Sequence, residues 1–226
     1  MLNASPRWPE FVGRQLRSPE GVGGSMIGWL MTLANATPYE LALRALRLRP
    51  TDAVLELGFG PGAGLRRLAA AVPEGRICGV DHSATMVEAA LRRNRNVVAE
   101  GRMELRRGKF HPLPWDDETF DKALLVNVVY FFEQSGDDAR EVYRTLRRGG
   151  LVVAYATDRE TMAKWPFAGG DTHRTFDLAS LHKAFVDAGF EADDIRVEQV
   201  ALPFGVSGLL ALARKQGPIE SATEAG

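Results

Sequence analysis

A glycine-rich segment between two apolar runs constrains this chain of 226 residues more than any other feature. Residues 54–64 read VLELGFGPGAG, and an amphipathic run begins at Leu65. The pattern predicts a buried strand, a tight turn and the start of a helix. Glycines let a ligand approach the backbone, and the N–H groups of a helix N-terminus favour an anionic or carboxylate-bearing ligand. The segment therefore predicts a site for a nucleotide-like cofactor.

Strand and helix patterns alternate along the rest of the chain. A helix over 22–35 precedes a second one that opens with the capping box Thr37-Pro38-Tyr39-Glu40, where proline takes the first helical position. The further predicted strands are 76–81, 103–105, 121–129, 151–155, 195–200 and 209–214, with helices after Ser83, over 139–146 and over 178–188. This alternation predicts an α/β fold with a doubly wound, mostly parallel sheet and helices on both faces.

Composition fits one α/β domain and excludes several classes of protein. The chain is 45% hydrophobic and 25% charged, and its net charge of −1 provides no global basic field for nucleic acid. The basic stretch from Arg92 to Lys109 is interpreted as a solvated helix face and strand end. The lone Cys78 lies in an apolar run, which predicts a buried thiol and excludes a disulfide framework; we also expect no metal site.

The N-terminal residues carry neither a secretory signal nor an apolar stretch long enough to span a membrane. We therefore expect a cytoplasmic protein that does not insert stably into membranes and that binds no nucleic acid. Its oligomeric state is left open.

The glycine pattern alone fits two kinds of cofactor. Gly58-x-Gly60-x-x-Ala63, with Asp81 after the second strand, satisfies the dinucleotide fingerprint. The longer pattern E-x-G-x-G-x-G over 56–62, with Asp81 and then LPWDDETFD over 113–121, resembles the class I S-adenosylmethionine-dependent methyltransferases. The resemblance runs from about Thr37 to about Arg214. It implies a Rossmann-like sheet of seven strands whose closing hairpin reverses the last strand.

The resemblance also implies which residues hold the cofactor S-adenosylmethionine. The turn with Gly58, Gly60 and Gly62 would pass under its methionine part, with Phe59 in a variable place. Glu56 would meet its amino group, and Asp81 would accept from both ribose hydroxyls because a carboxylate has two acceptor oxygens. The remaining positions that match the family's motifs are His82 and Met86 beside the adenine, Lys109 and Phe110 at its edge, and Asn127 and Val128 near the methyl donor. Met86 could equally be an ordinary core residue.

The chain departs from the family's pattern at Lys109. Most relatives have an aspartate there that accepts from the adenine amino group, and a lysine cannot accept a hydrogen bond. Backbone groups of Lys109 and Phe110 would then have to recognise the edge of the ring.

The methyl acceptor is predicted less sharply. Candidate bases are Tyr130, just after the fourth strand, and His173, before a late helix, with His111 in a loop as a further possibility. The N-terminal arm and lid helix, residues 1–36, would precede a methyltransferase domain over 37–215 and a disordered tail over 216–226. Substrate contacts are expected from Trp29, Met31 and Asn35 of the lid, together with Tyr130 and His173.

The apolar lid suggests a small lipophilic or aromatic acceptor, in the manner of quinone-pathway methyltransferases. Two other functions stay open at this point. One is a nicotinamide-dependent oxidoreductase, and the other is a non-catalytic subunit that binds the cofactor.

Overall fold

A computed structural model of the chain describes residues 36–165 and 174–217. The strands are β1 (Ala53–Leu57), β2 (Arg76–Asp81), β3 (Met103–Arg107), β4 (Phe120–Val126), β5 (Leu146–Thr157), β6 (Ile195–Leu202) and β7 (Val206–Arg214). The helices are α1 (Ala36–Leu46), α2 (Ala63–Ala71), α3 (Ala84–Arg93), α4 (Arg95–Ala99), α5 (Asp137–Thr145), α6 (Arg159–Met162) and α7 (Leu178–Val186). Short 3-10 turns lie at Val129–Phe131, Ala192–Asp194 and Pro203–Gly205.

The seven strands form one sheet in the order β3-β2-β1-β4-β5-β7-β6. Strands β1 to β5 pair in parallel, whereas β7 runs antiparallel to both β5 and β6. The predicted doubly wound sheet with a reversed last strand is therefore confirmed. The strand order reverses between β1 and β4, and in such sheets the ligand crevice lies beside this point, at the carboxyl ends of the strands.

Apolar side chains on both faces of the sheet make two cores, as expected for a sheet covered on each side. Leu55 of β1 packs into a core with α5 and α7, whereas its neighbour Val54 packs into a second core with α1, α2 and α3. Successive residues of a strand point to opposite faces, so Glu56 lies on the same face as Val54. Cys78 is fully buried, as predicted, and burial raises the pKa of its thiol.

Several predicted boundaries were wrong. Thr37 lies inside α1, which already includes Ala36, so it does not act as the N-cap. Strand β4 ends at Val126 and not at Val129, because Asn127 adopts a positive φ of 53° and a 3-10 turn follows. Strand β5 begins at Leu146, before Gly149, because Phe120 already pairs with Leu146.

The strand β2 and the Ser83 cap were predicted correctly. Arg76–Asp81 is the observed strand, and the Ser83 hydroxyl accepts a hydrogen bond from the Met86 backbone N–H at 3.3 Å. The predicted arm and lid helix over 1–35 and most of the predicted tail lie outside the described residues. The division into 1–36, 37–215 and 216–226 therefore stays a prediction.

Candidate cofactor-binding and active site

The turn after β1 combines close packing with an open face. Gly58, with φ of 66°, donates its N–H to the Val80 carbonyl at 2.8 Å, and a Cβ on it would lie 2.5 Å from Val128 Cγ2. Gly60, with φ of 55°, has no heavy atom of the described residues within 4 Å of where its Cβ would lie. A positive φ favours glycine, and the space beside Gly60 lets a ligand approach the backbone.

Asp81, at the end of β2, is held by two backbone N–H groups. Its Oδ2 accepts from the Gly60 N–H at 2.9 Å, and its Oδ1 accepts from the Ser83 N–H at 2.9 Å. The side chain is 8% exposed. Because each carboxylate oxygen has two lone pairs, both oxygens keep an acceptor site for a further donor. Two backbone bonds therefore fix the orientation of a carboxylate that can still bind a pair of hydroxyls.

Glu56 has a partner that the sequence did not reveal. Its Oε2 accepts from the Tyr39 hydroxyl at 2.9 Å, and both side chains are buried. The Tyr39 ring also packs over Gly64 of α2, where a Cβ would lie 2.2 Å from a ring carbon. Helix α1 thus reaches the acidic position of the glycine motif. The signal available in the sequence was only a tyrosine on the apolar face of a helix, which is usually a core residue.

Burial shifts the pKa of both acids upward. It raises the pKa of Glu56 to about 8; the Tyr39 hydroxyl partly offsets this rise, and the Asp81 charge adds to it. Burial also raises the pKa of Asp81, although the N–H groups of Ser83 and Gly60 oppose the shift. A buried carboxyl with few partners prefers its neutral form, and a cation beside it reverses that preference. Glu56 is therefore suited to receive a positively charged group.

The predicted adenine side is largely aromatic. The rings of His82 and Phe110 lie 4.2 Å apart between centroids, and Phe110 also contacts Phe132 at 5.8 Å. Phe110 is 2% exposed and belongs to the core, so it forms a wall more than a free stacking platform. Met86 is 3% exposed in the first turn of α3, whereas Lys109 is exposed.

The end of β4 lies against the glycine turn. Val128 contacts Gly58, and the Asn127 N–H donates to the Tyr155 carbonyl at 2.8 Å. The Tyr130 hydroxyl donates to Asn127 Oδ1 at 2.7 Å and accepts from the Thr157 N–H. Burial further raises the Tyr130 pKa. This geometry argues against Tyr130 as a base and favours a role in holding the ends of β4 and β5 together.

Other predicted residues lie away from this cluster or outside the description. His111 is exposed, and the 113–121 segment packs on α5: Leu113 N–H donates to Glu141 Oε2 at 2.7 Å, and Arg144 binds both Glu141 and Asp117. Trp29, Met31, Asn35 and His173 lie outside the described residues. Within 36–165 and 174–217, no group of three or more His, Cys, Asp or Glu side chains could hold a metal ion.

Fold and site together define a protein that binds a nucleoside-containing cofactor. The crevice lies where the sheet order reverses, and it contains an open glycine turn, an oriented carboxylate and a buried acid. Asp81 matches a ribose, Glu56 matches an amino group, and the space beside Gly60 admits the ligand. These residues fit S-adenosylmethionine.

Comparison with known proteins agrees with the site. Residues 54–150 match a family described as a methyltransferase domain. An uncharacterized methyltransferase of Bacillus subtilis, YdaC, is 26% identical over 173 residues, which is 76% of this chain and 90% of that protein. An uncharacterized 37.1 kDa transposon protein of Streptomyces fradiae is 37% identical over 140 residues, which is 61% of this chain but only 40% of that protein.

A third relative has a named function. The ubiquinone/menaquinone biosynthesis C-methyltransferase of Geotalea daltonii is 25% identical over 126 residues, 54% of each chain. Among solved structures, a putative methyltransferase from Haloferax volcanii, in complex with the Trm112 methyltransferase activator, superposes with a TM-score of 0.72 at 21% identity, covering 85% of this chain and 95% of that one. This last likeness concerns the fold.

Residues 54–150 thus match a methyltransferase domain, and these findings together support a class I S-adenosylmethionine-dependent methyltransferase. S-adenosylmethionine is accordingly its cofactor. The comparisons therefore favour this cofactor over the nicotinamide alternative.

Proposed function

We propose that this protein transfers a methyl group from S-adenosylmethionine to a small lipophilic or aromatic acceptor. The observation that carries the proposal is the pair of acids, Glu56 and Asp81, oriented around the open glycine turn. Bound S-adenosylmethionine supplies an electrophilic methyl group on a sulfonium centre. The chain's own residues would bind the cofactor, orient the two reactants and exclude water.

Each acid has a distinct part in binding. Asp81 would accept from two ribose hydroxyls, since both of its oxygens keep an acceptor site beside their backbone bonds. Glu56 would receive the ammonium group of the cofactor as a carboxylate, with Tyr39 holding one of its oxygens. Because the pKa of Glu56 in the empty protein is about 8, binding near neutral pH would release a proton from it. Tyr39 is then a positioning residue.

The acceptor class rests on the residues that follow β4 and β5. Those of the described part that pack into the core are apolar or aromatic: Val128, Val129, Tyr130, Phe132, Met162, Trp165 and Phe176. Binding sites for small molecules are mostly lined by such side chains. One relative is named a ubiquinone/menaquinone biosynthesis C-methyltransferase, and this name supports an acceptor of this kind. Aligning nucleophile and methyl group in a dry crevice is the main requirement of the reaction, and a base is needed only if the nucleophile must lose a proton.

A transfer assay tests the acceptor class. The protein would be incubated with S-adenosylmethionine labelled in the methyl group and with three pools: quinols and catechols, total RNA, and total protein. We expect label in the organic extract of the first pool, and none with Asp81→Ala. Label in RNA or protein alone would replace the proposed acceptor. Tight binding of S-adenosylhomocysteine without transfer to any pool would instead favour a non-catalytic subunit.

A further inference from the structure

The basic stretch of the sequence divides into two parts in the fold. Arg106, on the edge strand β3, pairs with Glu104 of the same strand. The arginines between residues 92 and 102 instead lie near Arg66 of α2, which is distant from them in sequence. Together they line a groove of about 470 Å³ between α2 and the corner that joins α3 to α4, and its arginines are Arg66, Arg92, Arg93, Arg95 and Arg102.

The charge of this groove is poorly compensated. Arg92 lies 3.6 Å from Glu88, and Arg102 pairs with Glu100 at 2.7 Å. Among the described residues, no acidic side chain lines the groove, and neither Arg66 nor Arg95 has an ion pair. A concave surface lined by one sign of charge concentrates ions of the opposite sign. Guanidinium groups bind phosphate oxygens well because their planar fork matches them.

A buried amide at the groove has an unused acceptor. Asn94 is 3% exposed, and its Nδ2 donates to the carbonyls of Gly62 at 3.1 Å and Ala90 at 2.8 Å. These two bonds fix the orientation of the amide. Its Oδ1 is buried and has no hydrogen-bond partner among the described residues. A buried acceptor without a partner is unfavourable, so a ligand with a hydroxyl or N–H donor would satisfy it.

We propose that this groove is a second ligand site, distinct from the cofactor crevice, that binds a small organic phosphate of nucleotide size. The arginines bind the phosphate, and Asn94 accepts from a hydroxyl or N–H of the rest of the ligand. The volume of the groove falls within the range of small-molecule sites. The proposal does not depend on the methyl-transfer proposal, because no hydrogen bond or ion pair of the described structure joins a groove arginine to Glu56 or Asp81. Arg93 and Asn94 do bond to the carbonyls of Pro61 and Gly62 in the glycine turn.

Calorimetric titration with guanosine diphosphate tests the site. Saturating S-adenosylhomocysteine is present to block the cofactor crevice. We expect guanosine diphosphate to bind, guanosine to bind at least about tenfold more weakly, and the affinity to fall as salt is raised. Pyrophosphate should bind more weakly than guanosine diphosphate, because it lacks the nucleoside whose hydroxyl and N–H groups would donate to Asn94.

Variants identify the place of binding. Arg66→Gln combined with Arg95→Gln should weaken guanosine diphosphate by about tenfold or more, since two charge-assisted contacts are lost. Arg67→Gln is the matched control, because Arg67 is the next residue of α2 but pairs with Glu40 instead of lining the groove. Its affinity should stay within about twofold of the wild type.

Three results would overturn the proposal. The first is that guanosine diphosphate does not bind at 1 mM, roughly the weakest affinity of interest. The second is that Arg67→Gln and the double variant lose the same affinity for guanosine diphosphate. The third is that the double variant keeps the affinity of the wild type. A short single-stranded RNA that binds far more tightly than guanosine diphosphate, with the same dependence on Arg66 and Arg95, would assign the groove to nucleic acid instead.

Discussion

The two sides of the crevice use their polar groups differently. On the β1–β2 side, Asp81 keeps acceptor capacity and Glu56 has a single donor partner in the described structure. On the β4–β5 side, Asp158 follows β5 and accepts from the N–H groups of Glu160 and Thr161 and from Gln199. The Tyr130 hydroxyl likewise bonds within the protein.

This difference indicates which polar groups of the described residues are available to a ligand. The β1–β2 side could bind the polar groups of a nucleoside and an amino acid, as proposed above. On the β4–β5 side, most apolar side chains are buried in the core, and Tyr130 and Asp158 bond within the protein. The described residues therefore bear on the cofactor more directly than on the acceptor. The predicted acceptor contacts Trp29, Met31, Asn35 and His173 lie outside the described residues.

The largest expected effect comes from Gly60→Val. A β-branched residue resists a φ of 55° and fills the space beside the turn, so S-adenosylhomocysteine affinity should fall by about a hundredfold or more, roughly 2.7 kcal/mol. Gly101→Val is the matched control, since Gly101 has φ of 74° and equally open surroundings but lies before β3. Both variants should lose similar stability, and only the first should lose binding. Equal binding by the two would mean that the turn is only structural.

Asp81, at the end of β2, and Asp158, directly after β5, give the next contrast. Asp81→Ala should weaken S-adenosylhomocysteine by about 1.5–3 kcal/mol, through the loss of two hydrogen bonds to a charged group. Asp158→Ala should lower the free energy of unfolding by about 1 kcal/mol, because it removes the N-cap of α6, but should leave cofactor affinity unchanged. Calorimetric titration and thermal unfolding measure the two quantities. Similar binding losses in both variants would erase the contrast between the two sides.

The pH dependence of stability isolates Glu56. An unfolded glutamate titrates near pH 4.5, whereas the folded pKa of Glu56 is about 8, so the folded chain holds an extra proton between these values. The unfolding free energy of the protein without cofactor should therefore fall as pH rises through this window, by up to about 1.4 kcal/mol per pH unit. Glu56→Gln should remove that part of the slope in thermal unfolding from pH 5 to 8.5.

Tyr39→Phe provides the companion measurement. The Tyr39 hydroxyl lowers the Glu56 pKa, so its removal should extend the loss of stability to higher pH. An unaltered slope in Glu56→Gln would show that another group is responsible.

The smallest expected effect concerns Lys109. Its side chain is exposed, so Lys109→Ala should change S-adenosylhomocysteine affinity by less than about 1 kcal/mol, as expected if backbone groups recognise the adenine edge. A loss of tenfold or more in titration would instead give the lysine head a direct role.

The sequence predicted those elements of the candidate site whose positions follow from residues adjacent in the chain. The glycine turn and Asp81 follow directly from strands β1 and β2, whose apolar runs and adjacent glycines mark them clearly. It missed the contact between Tyr39 and Glu56, because that contact depends on how α1 packs across the sheet. It also placed the end of β4 too late, since the apolar run continues through Val129 whereas the backbone turns at Asn127. Apolar composition does not reveal such a turn.

The arginine groove was not apparent from the sequence for a similar reason. Its charge was visible, but the convergence of Arg66 with Arg95 requires the packing of α2 beside α3 and α4.

Two side chains at the corner that joins α3 to α4 also bond to the glycine turn. Asn94 donates to the Gly62 carbonyl, and Arg93 donates to the Pro61 carbonyl at 3.2 Å. Any ligand that moves these two side chains would alter the free energy of cofactor binding, and the cofactor would alter the affinity of that ligand by the same factor. The proposed groove site and the cofactor site would share these two side chains. Binding at one site would then change the affinity at the other whenever the side chains move. The strength of the coupling is measurable as the shift in S-adenosylhomocysteine affinity when the groove is filled.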